Sequence, residues 1–395
     1  MATKISPTYR ALQFTSSTSP PSIVTLPTPP LTAGTVLVRP LRSTLFAYTR
    51  DIFSRGNPRG YHYPLPLVPG SATIGRTIAA ASDVPSLHQQ AGQLVWVDPV
   101  LRAADGSAKI LHALSSGPSA AGKALAENEW RNGSWGEIVR VPAQNVHLLD
   151  EDILLGKDKL GYEMDDLGYL SSLAIAYGGL RDVDARAGEI VLVAPATGSF
   201  GGAAVHVALA LGARVIAMGR NQDILKELED VARRSYPLSG FASIALSGSS
   251  LEADTEALTE AARKLGSRTG SVDVFFDMSP PAASASSHIK AGIAALRSGG
   301  RMSLMGGAAG DVGFPYYQIM LKGLRLQGSW MYSPEYVDEL IRLVEMGRLK
   351  LGKRDAGVEC LGVFGLDEWE DAFRVAGDGA RVGRFVLLAP SGRDV

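Results

Sequence analysis

The stretch EIVLVAPATGSFGG, residues 189–202, decides the fold. Glu189–Ala194 predicts a strand, and its continuous apolar run is typical of a parallel sheet covered on both faces. The next residues match a G-x-G-x-x-G pattern with alanine in the first position, and they open an apolar helix expected over Gly202–Leu211. Such a loop lets a pyrophosphate approach the backbone and the helix N-terminus. It predicts a dinucleotide site made of Ala196, Thr197, Gly198, Ser199, Phe200 and Gly201.

Strand and helix patterns alternate around this loop. Strands are predicted at Arg214–Met218, Val272–Phe276 and Arg301–Leu304, and a helix at Gln222–Arg234. This alternation indicates βαβ units, and therefore a doubly wound parallel sheet.

The end of the second strand indicates which dinucleotide binds. NAD-specific sites place a carboxylate there to bind the ribose 2′-hydroxyl. Here the strand runs into Gly219, Arg220 and Asn221, with no acidic residue. Glycine leaves room for a 2′-phosphate and arginine offers a bidentate cation to bind it. We therefore expect NADPH.

The regions on either side of these βαβ units have a different sequence pattern. Residues 1–150 carry short apolar runs between Pro and Gly clusters, at Thr35–Val38, Leu94–Val97 and Glu137–Val141, which predicts a β-rich region. The Pro-rich residues 19–30 favour an edge strand with turns, and the Ala-, Ser- and Gly-rich residues 103–131 an inserted, partly helical segment. Residues 320–395 are mixed and end in a strand at Arg384–Leu388, so we expect this tail to rejoin the first part.

Composition excludes several classes of protein. The chain has 395 residues, 39 Lys and Arg against 40 Asp and Glu, so no global positive field attracts nucleic acid or an anionic membrane. The one cysteine, Cys360, excludes a disulfide framework, and we expect its thiol to be inert. The six histidines (62, 88, 112, 147, 206 and 288) show no pair at ligand spacing, so we expect no metal. The N-terminus lacks the apolar core of a signal peptide, which favours a cytoplasmic protein.

Several motifs in sequence order resemble the medium-chain dehydrogenase/reductase superfamily. They are Ser43–Asp51, Pro66–Gly75, Ala176–Leu180, Leu296–Arg301 and Met305–Gly307. The resemblance implies an α/β protein with a GroES-like β-barrel catalytic domain, residues 1–150 and 320–395, and a Rossmann domain, residues 151–319, with the active site in the cleft between them. It also implies that Met305 and Gly306 flank the nicotinamide and that the protein is a homodimer.

The departures from the superfamily pattern concern zinc. The Cys, His and Cys ligands of the zinc-dependent members correspond to Tyr48, Ser71 and Ser171, and the Glu after the His is Ala72. Serine and tyrosine hydroxyls stay protonated and bind zinc poorly. The resemblance therefore implies the zinc-independent branch, the quinone oxidoreductases and enoyl reductases, which reduce the activated double bonds of small apolar substrates.

Such a reaction needs a hydroxyl donor near the carbonyl oxygen of the acceptor. The resemblance makes Tyr48 the first candidate, followed by Tyr61 and Tyr63, while Ser71 occupies the former metal position. Each tyrosine has packing as an alternative role, and Ser71 has the capping of a turn. Asp277 and Asn145 each end a strand, but their patterns assign them no role.

Other functions remain open on the same fold. One is a zinc-free alcohol or carbonyl oxidoreductase. The others are a non-redox catalyst such as a cyclase or isomerase, and a nucleotide-binding protein without turnover.

Overall fold

A computed structural model describes residues 5–84, 91–247, 250–379 and 381–393, which form two compact units. The first unit comprises residues 1–171, 360–380 and 384–395, and the second comprises residues 172–359 and 381–383. Among the described residues, no helix has the length and apolar character needed to cross a lipid bilayer.

The first 169 residues supply most of the strands of the first unit. The strands are β1 (Thr8–Gln13), β2 (Ser22–Pro27), β3 (Thr35–Leu45), β4 (Thr73–Ala80), β5 (Leu94–Val97), β6 (Val100–Arg102), β7 (Lys109–Leu111), β8 (Val139–Pro142) and β9 (Val146–Leu148). The helices are α1 (Thr49–Ser54), α2 (Ala120–Asn128) and α3 (Glu151–Leu155), with 3-10 turns at Ala143–Asn145 and Met164–Tyr169.

The middle of the chain alternates helices and strands. The helices are α4 (Leu170–Asp182), α5 (Ser199–Ala210), α6 (Gln222–Ser235), α7 (Leu251–Lys264), α8 (His288–Ala295), α9 (Tyr316–Lys322) and α10 (Pro334–Glu345), with a 3-10 turn at Pro281–Ala283. The strands are β10 (Ile190–Ala194), β11 (Arg214–Gly219), β12 (Phe241–Ala245), β13 (Val272–Asp277), β14 (Leu296–Leu304) and β15 (Arg325–Gly328).

The C-terminal residues return to the first unit. After a π turn at Gly352–Ala356 come β16 (Glu359–Phe364), a 3-10 turn at Leu366–Glu368, α11 (Trp369–Asp378) and β17 (Arg384–Leu388). The first unit's main sheet has seven strands in the order β16-β17-β3-β4-β5-β9, with β8 also paired to β3. Of the tail expected to rejoin the N-terminal region, residues 360–380 and 384–395 belong to the first unit, whereas residues 320–359 belong to the second.

Alternating valines form one of the cores of this sheet. Val36 and Val38 on β3, Val95 and Val97 on β5, and Val139 and Val141 on β8 are buried in a single cluster. Successive side chains on a strand point to opposite faces, so residues two apart share a face. Leu37, between the first two valines, belongs to a different cluster, together with Phe14, Phe53 and Phe373. The opposite faces of β3 thus pack against separate cores.

The second unit contains a six-stranded sheet in the order β12-β11-β10-β13-β14-β15, and every neighbouring pair is parallel. Counted from β10, this is the order 3-2-1-4-5-6 of a dinucleotide-binding Rossmann fold. All five residues of β10 are buried, as its apolar run predicted. The predicted doubly wound sheet is confirmed.

Some boundaries differ from the expectations. The helix after β10 starts at Ser199, earlier than Gly202, because Gly198 takes the N-cap position. The second unit runs to residue 359 rather than 319, since β15 continues the parallel sheet beside β14. Residues 103–131 contain β7 and α2, and the Pro-rich residues 19–30 contain β2, which pairs only with β1 among the described strands.

Candidate functional site

The loop between β10 and α5 lies at the carboxyl edge of the parallel sheet. The Ala196 amide donates to the Met218 carbonyl oxygen at 2.8 Å, which ties the loop to the end of β11. Gly198 is the N-cap of α5, and because it has no side chain, no side-chain cap occupies the helix N-terminus. Uncapped N-terminal amides and the helix dipole are suited to bind an anion.

The two glycines of this loop have different surroundings. A Cβ on Gly198 would meet nothing within 4 Å, so this side of the loop is open. A Cβ on Gly201 would lie 2.0 Å from the Pro195 carbonyl oxygen, so a side chain there would push the helix off the strand. Open backbone at one glycine and tight packing at the other are the two requirements of a pyrophosphate loop. These residues fit a dinucleotide.

The end of β11 carries the three residues expected to select the cofactor. Arg220 is exposed, and none of the ion pairs in the described part of the chain involves it. Asn221 caps α6, its Oδ1 accepting the Ile224 amide at 3.1 Å. A Cβ on Gly219 would lie 2.4 Å from Cγ2 of Thr197. The space beside Gly219 is therefore filled by the loop itself.

A second arginine near the loop was missed by the sequence analysis. Residues 381–383 belong to the second unit although they lie far along the chain. The Ser199 hydroxyl donates to the Arg381 carbonyl oxygen at 3.4 Å, and a Cβ on Gly202 would lie 2.5 Å from Val382. The Arg381 guanidinium is exposed, 3.9 Å from Glu227. This places the backbone of Arg381 beside the first residue of α5, which no local sequence pattern indicated.

Met305 and Gly306 follow β14 at the same edge of the sheet. The Met305 amide donates to the Asp277 carbonyl oxygen at 3.1 Å, and the Gly307 amide donates to that of Ser279 at 2.8 Å. A Cβ on Gly306 would lie 2.5 Å from the Ser279 nitrogen. The turn is thus held tightly against the end of β13.

In the first unit, Tyr48 and Tyr61 are brought together. The Tyr48 ring stacks on the Phe46 ring, with centroids 5.5 Å apart, and meets the Tyr61 ring edge-on, with centroids 6.4 Å apart. The Arg59 guanidinium lies 4.1 Å from the centroid of the Tyr48 ring. Burial, with a smaller effect of Tyr61, raises the pKa of the Tyr48 hydroxyl, and Arg59 offsets part of this rise. The hydroxyl therefore stays protonated and able to donate.

The other candidates of the first unit are arranged differently. The Tyr63 hydroxyl donates to the Ile52 carbonyl oxygen at 3.1 Å, and burial raises its pKa. Ser71 is buried, directly after Gly70, whose φ of +102° is unfavourable for other residues. Ser171 is also buried, with its Oγ 3.1 Å from Oγ1 of Thr44. These hydroxyls all belong to one unit.

Metal-binding side chains do not gather in the described part of the chain. There, no group of three or more His, Cys, Asp or Glu residues is placed to hold an ion. His88 lies outside the described residues. Burial lowers the pKa of both His112 and His206 to about 4.

Asn145, which the sequence left without a role, has a structural one, and the environment of Cys360 keeps its thiol protonated. Asn145 is buried and its Nδ2 donates to the carbonyl oxygens of Asp98 at 3.0 Å and Val100 at 2.9 Å. Burial raises the pKa of the Cys360 thiol to about 12, so it stays in its unreactive protonated form.

Comparison with known proteins supports this reading of the fold. Residues 200–346 match the family described as "Zinc-binding dehydrogenase". An L-threonine 3-dehydrogenase from Ruegeria pomeroyi is 25% identical over 372 residues, which cover 92% of this chain and 95% of that protein.

Solved structures agree over nearly the full length. A thermostable alcohol dehydrogenase from Pyrobaculum aerophilum, solved with cobalt and zinc, has a TM-score of 0.68 at 20% identity, covering 97% of this chain and 100% of that one. A protein from Sinorhizobium meliloti, described as a zinc-binding dehydrogenase and solved with NADP, has a TM-score of 0.70 at 18% identity, covering 97% and 99%. The predicted fold class is confirmed.

Proposed function

Because its fold and its family match support the medium-chain dehydrogenase/reductase superfamily, we propose that the chain is an NADPH-dependent, zinc-independent oxidoreductase. It transfers hydride to an activated double bond or a quinone of a small apolar substrate. The observation that carries this proposal is the carboxyl edge of the parallel sheet. There the uncapped N-terminus of α5 and the exposed Arg220, on a strand end without a carboxylate, suit a dinucleotide with a 2′-phosphate.

The residues of the second unit have separate binding roles in this proposal. The α5 amides and the Arg381 guanidinium bind the pyrophosphate, and Arg220 binds the 2′-phosphate. Met305 and Gly306 form the surface against which the nicotinamide rests. The bound dinucleotide supplies the hydride, and the protein orients it.

The first unit supplies the hydroxyl donors. Tyr48 is the first candidate because it stands at the position of one of the superfamily's metal ligands, and its protonated hydroxyl can donate to the oxygen on which negative charge develops. Tyr61 contacts Tyr48 and orients its ring. The Tyr63 hydroxyl is engaged with the Ile52 carbonyl oxygen, which leaves it a weaker candidate than Tyr48.

Zinc does not fit the residues present. The counterparts of the superfamily's metal ligands are the hydroxyls of Tyr48, Ser71 and Ser171, which are poor zinc donors. The matched family is described by zinc binding, so this chain departs from that description in its donor set. No step of the proposed reaction uses a metal.

Nucleotide titration tests the proposal. Energy transfer from tryptophan to the reduced nicotinamide gives the affinities for NADPH and NADH, and we expect at least a tenfold preference for NADPH, about 1.4 kcal/mol. Arg220→Ala should abolish the preference for NADPH, while Arg381→Ala should lower the affinities for NADPH and NADH equally. Arg268→Ala, an exposed arginine before β13, is the matched control and should change neither. Failure of the unmodified protein to bind either nucleotide would refute the proposal.

A second candidate is a zinc-free alcohol or carbonyl oxidoreductase, favoured by the names of the relatives, which are threonine and alcohol dehydrogenases. Turnover with NADPH deuterated at C4 separates the two. Deuterium on the β-carbon of an enone product indicates double-bond reduction, and deuterium on the carbinol carbon indicates carbonyl reduction. Tight NADPH binding with no turnover of any acceptor would instead favour the cyclase, isomerase or nucleotide-binding alternatives.

We also propose that the protein is a homodimer joined at the β15 edge of the parallel sheet. Among the described strands β15 pairs only with β14. The adjacent α9 exposes Tyr316, Tyr317 and Leu321, which are 82%, 66% and 64% accessible. An apolar surface next to an open sheet edge favours association. Light scattering of the purified protein, with Leu321→Lys as the variant that should dissociate it, tests this.

A further inference from the structure

A buried chain of hydrogen bonds lies at the carboxyl end of β13. Asp277, Ser279 and His288 are 3%, 2% and 0% accessible. The Ser279 hydroxyl donates to Oδ1 of Asp277 at 2.5 Å, and its oxygen lies 2.8 Å from Nε2 of His288. Nδ1 of His288 lies 2.8 Å from the Ser286 hydroxyl. None of these residues belongs to the dinucleotide loop or to the Tyr48 and Tyr61 pair.

The direction of these hydrogen bonds follows from the donors available. A serine has one hydrogen to donate, and that of Ser279 goes to the Asp277 carboxylate. Nε2 of His288 must therefore carry the hydrogen in its contact with Ser279. His288 donates to Ser279, which donates to Asp277, so each group orients the next.

The first residue of α8 is held in place from the other side as well. Ser287, next to His288, donates to Oδ2 of Asp254 on α7. Oδ1 of Asp254 accepts the Ser247 amide, which follows β12, at 2.9 Å. The imidazole is therefore fixed relative to two strand ends.

Asp277, at the end of this hydrogen-bond chain, contacts the Met305–Gly307 turn that is proposed to face the nicotinamide. A Cβ on Gly306 would lie 2.8 Å from Oδ2 of Asp277, so the backbone of the turn packs directly on this carboxylate. Backbone hydrogen bonds join the end of β13 to the ends of both neighbouring strands. The Met278 amide donates to the Ala194 carbonyl oxygen of β10 at 3.1 Å, and the Met305 amide, which follows β14, donates to the Asp277 carbonyl oxygen. Displacement of Asp277 would thus displace Met305 and Gly306.

We propose that His288, acting through Ser279 and Asp277, is a positioning residue that fixes the Met305–Gly307 turn against the nicotinamide end of the bound dinucleotide. The inference rests on the proposed function and deepens it, because it assigns a role to three buried side chains. It predicts that loss of the imidazole affects the nicotinamide end and leaves the adenosine end bound as before.

The experiment compares two ligands, NADPH and 2′-phospho-ADP-ribose, which lacks the nicotinamide. His288→Ala should weaken NADPH binding roughly three- to tenfold, as expected for one lost hydrogen bond. It should leave the affinity for 2′-phospho-ADP-ribose unchanged and shift the fluorescence of bound NADPH toward that of free NADPH. His288→Gln, whose amide can donate to Ser279, should restore most of the NADPH affinity.

Further variants keep the test decisive. Ser286→Ala removes only the contact at Nδ1 and should give a smaller loss in the same direction, which covers the case in which His288→Ala does not fold. His112→Ala, a buried histidine of the first unit, is the control for general destabilisation and should change neither affinity. Equal losses for the two ligands, or no loss for either, would overturn the positioning role. If the unmodified protein binds neither ligand, the proposed function fails, and this inference with it.

Discussion

The contact between Gly219 and Thr197 predicts a coupled pair of substitutions. In Gly219→Ala the new Cβ would lie 2.4 Å from Cγ2 of Thr197. Carbon atoms pack best at about 3.5–4.0 Å, so the loop would have to move by about 1 Å. Overpacking of this size costs about 1–3 kcal/mol. Since Thr197 is part of the dinucleotide loop, the affinities for NADPH and NADH should fall together.

Thr197→Ser removes the methyl group that the new Cβ meets. The remaining neighbours, Oγ1 and Cβ of residue 197, lie 3.0 and 3.2 Å away, so only a few tenths of an ångström need to be relieved. The double variant should therefore recover most of the loss, which corresponds to a coupling free energy of about 1–2 kcal/mol. Hydrogen exchange of the β10 and β11 amides measures the opening free energy of this unit, and nucleotide titration measures the affinities.

A different result would refute this reasoning. If Gly219→Ala leaves the opening free energy unchanged and weakens NADPH alone, with no recovery on Thr197→Ser, then the glycine serves to leave space for the 2′-phosphate. The packing against Thr197 would in that case have no energetic weight.

Three further predictions concern stability. Asn221→Ala should cost about 1 kcal/mol in urea unfolding because it removes the α6 cap, whereas Asn221→Asp keeps the cap and should lower only NADPH affinity. Burial lowers the pKa of His112 from 6.5 to about 4, so its contribution to the free energy of unfolding is fully present above pH 6.5 and should fall by at most about 3 kcal/mol as pH drops toward 4. His112→Phe should make this fall smaller and leave the share of His206, whose pKa is lowered in the same way; an unchanged slope would contradict the assignment. The Arg76 hydrogen bonds lower the pKa of Glu151, so the cost of Glu151→Gln, about 0.5 kcal/mol for this half-exposed pair, should be present at neutral pH and vanish as pH falls well below 4.5.

The sequence was most informative where structure depends on neighbours along the chain. The apolar runs predicted the bounds of β5 and β17, and the glycine pattern predicted the loop after β10. Local patterns reflect burial and backbone freedom, which the residues carry themselves. Helix starts were less certain: the first turn of α5 contains Ser199 and Gly201, which resemble loop residues until the N-cap at Gly198 is known.

Local sequence patterns could not predict contacts between side chains from distant segments of the chain. Arg381 reaches the dinucleotide loop only because residues 381–383 pack with the second unit. His288 was one scattered histidine, and Asp277 only the end of a strand, until the fold placed Ser279 between them. Tyr63 ranked after Tyr48 as a donor, and the structure adds that the Tyr63 hydroxyl is engaged with the Ile52 carbonyl oxygen. Each of these contacts depends on tertiary packing, which determines the position of the side chain.

The position of β17 has a consequence for biosynthesis. This strand lies between β16 and β3, and it pairs Val386 with Leu45, 341 positions earlier (386 − 45). On the ribosome, the parallel sheet of residues 172–359 is complete in sequence while the antiparallel sheet still lacks two adjoining strands. Domains fold as units during synthesis, and unpaired strand edges favour aggregation. The nascent chain thus exposes the edge of β3 at residues 43–45 until residues 384–388 have been synthesised, and a stop before codon 384 would leave that part of the edge permanently open.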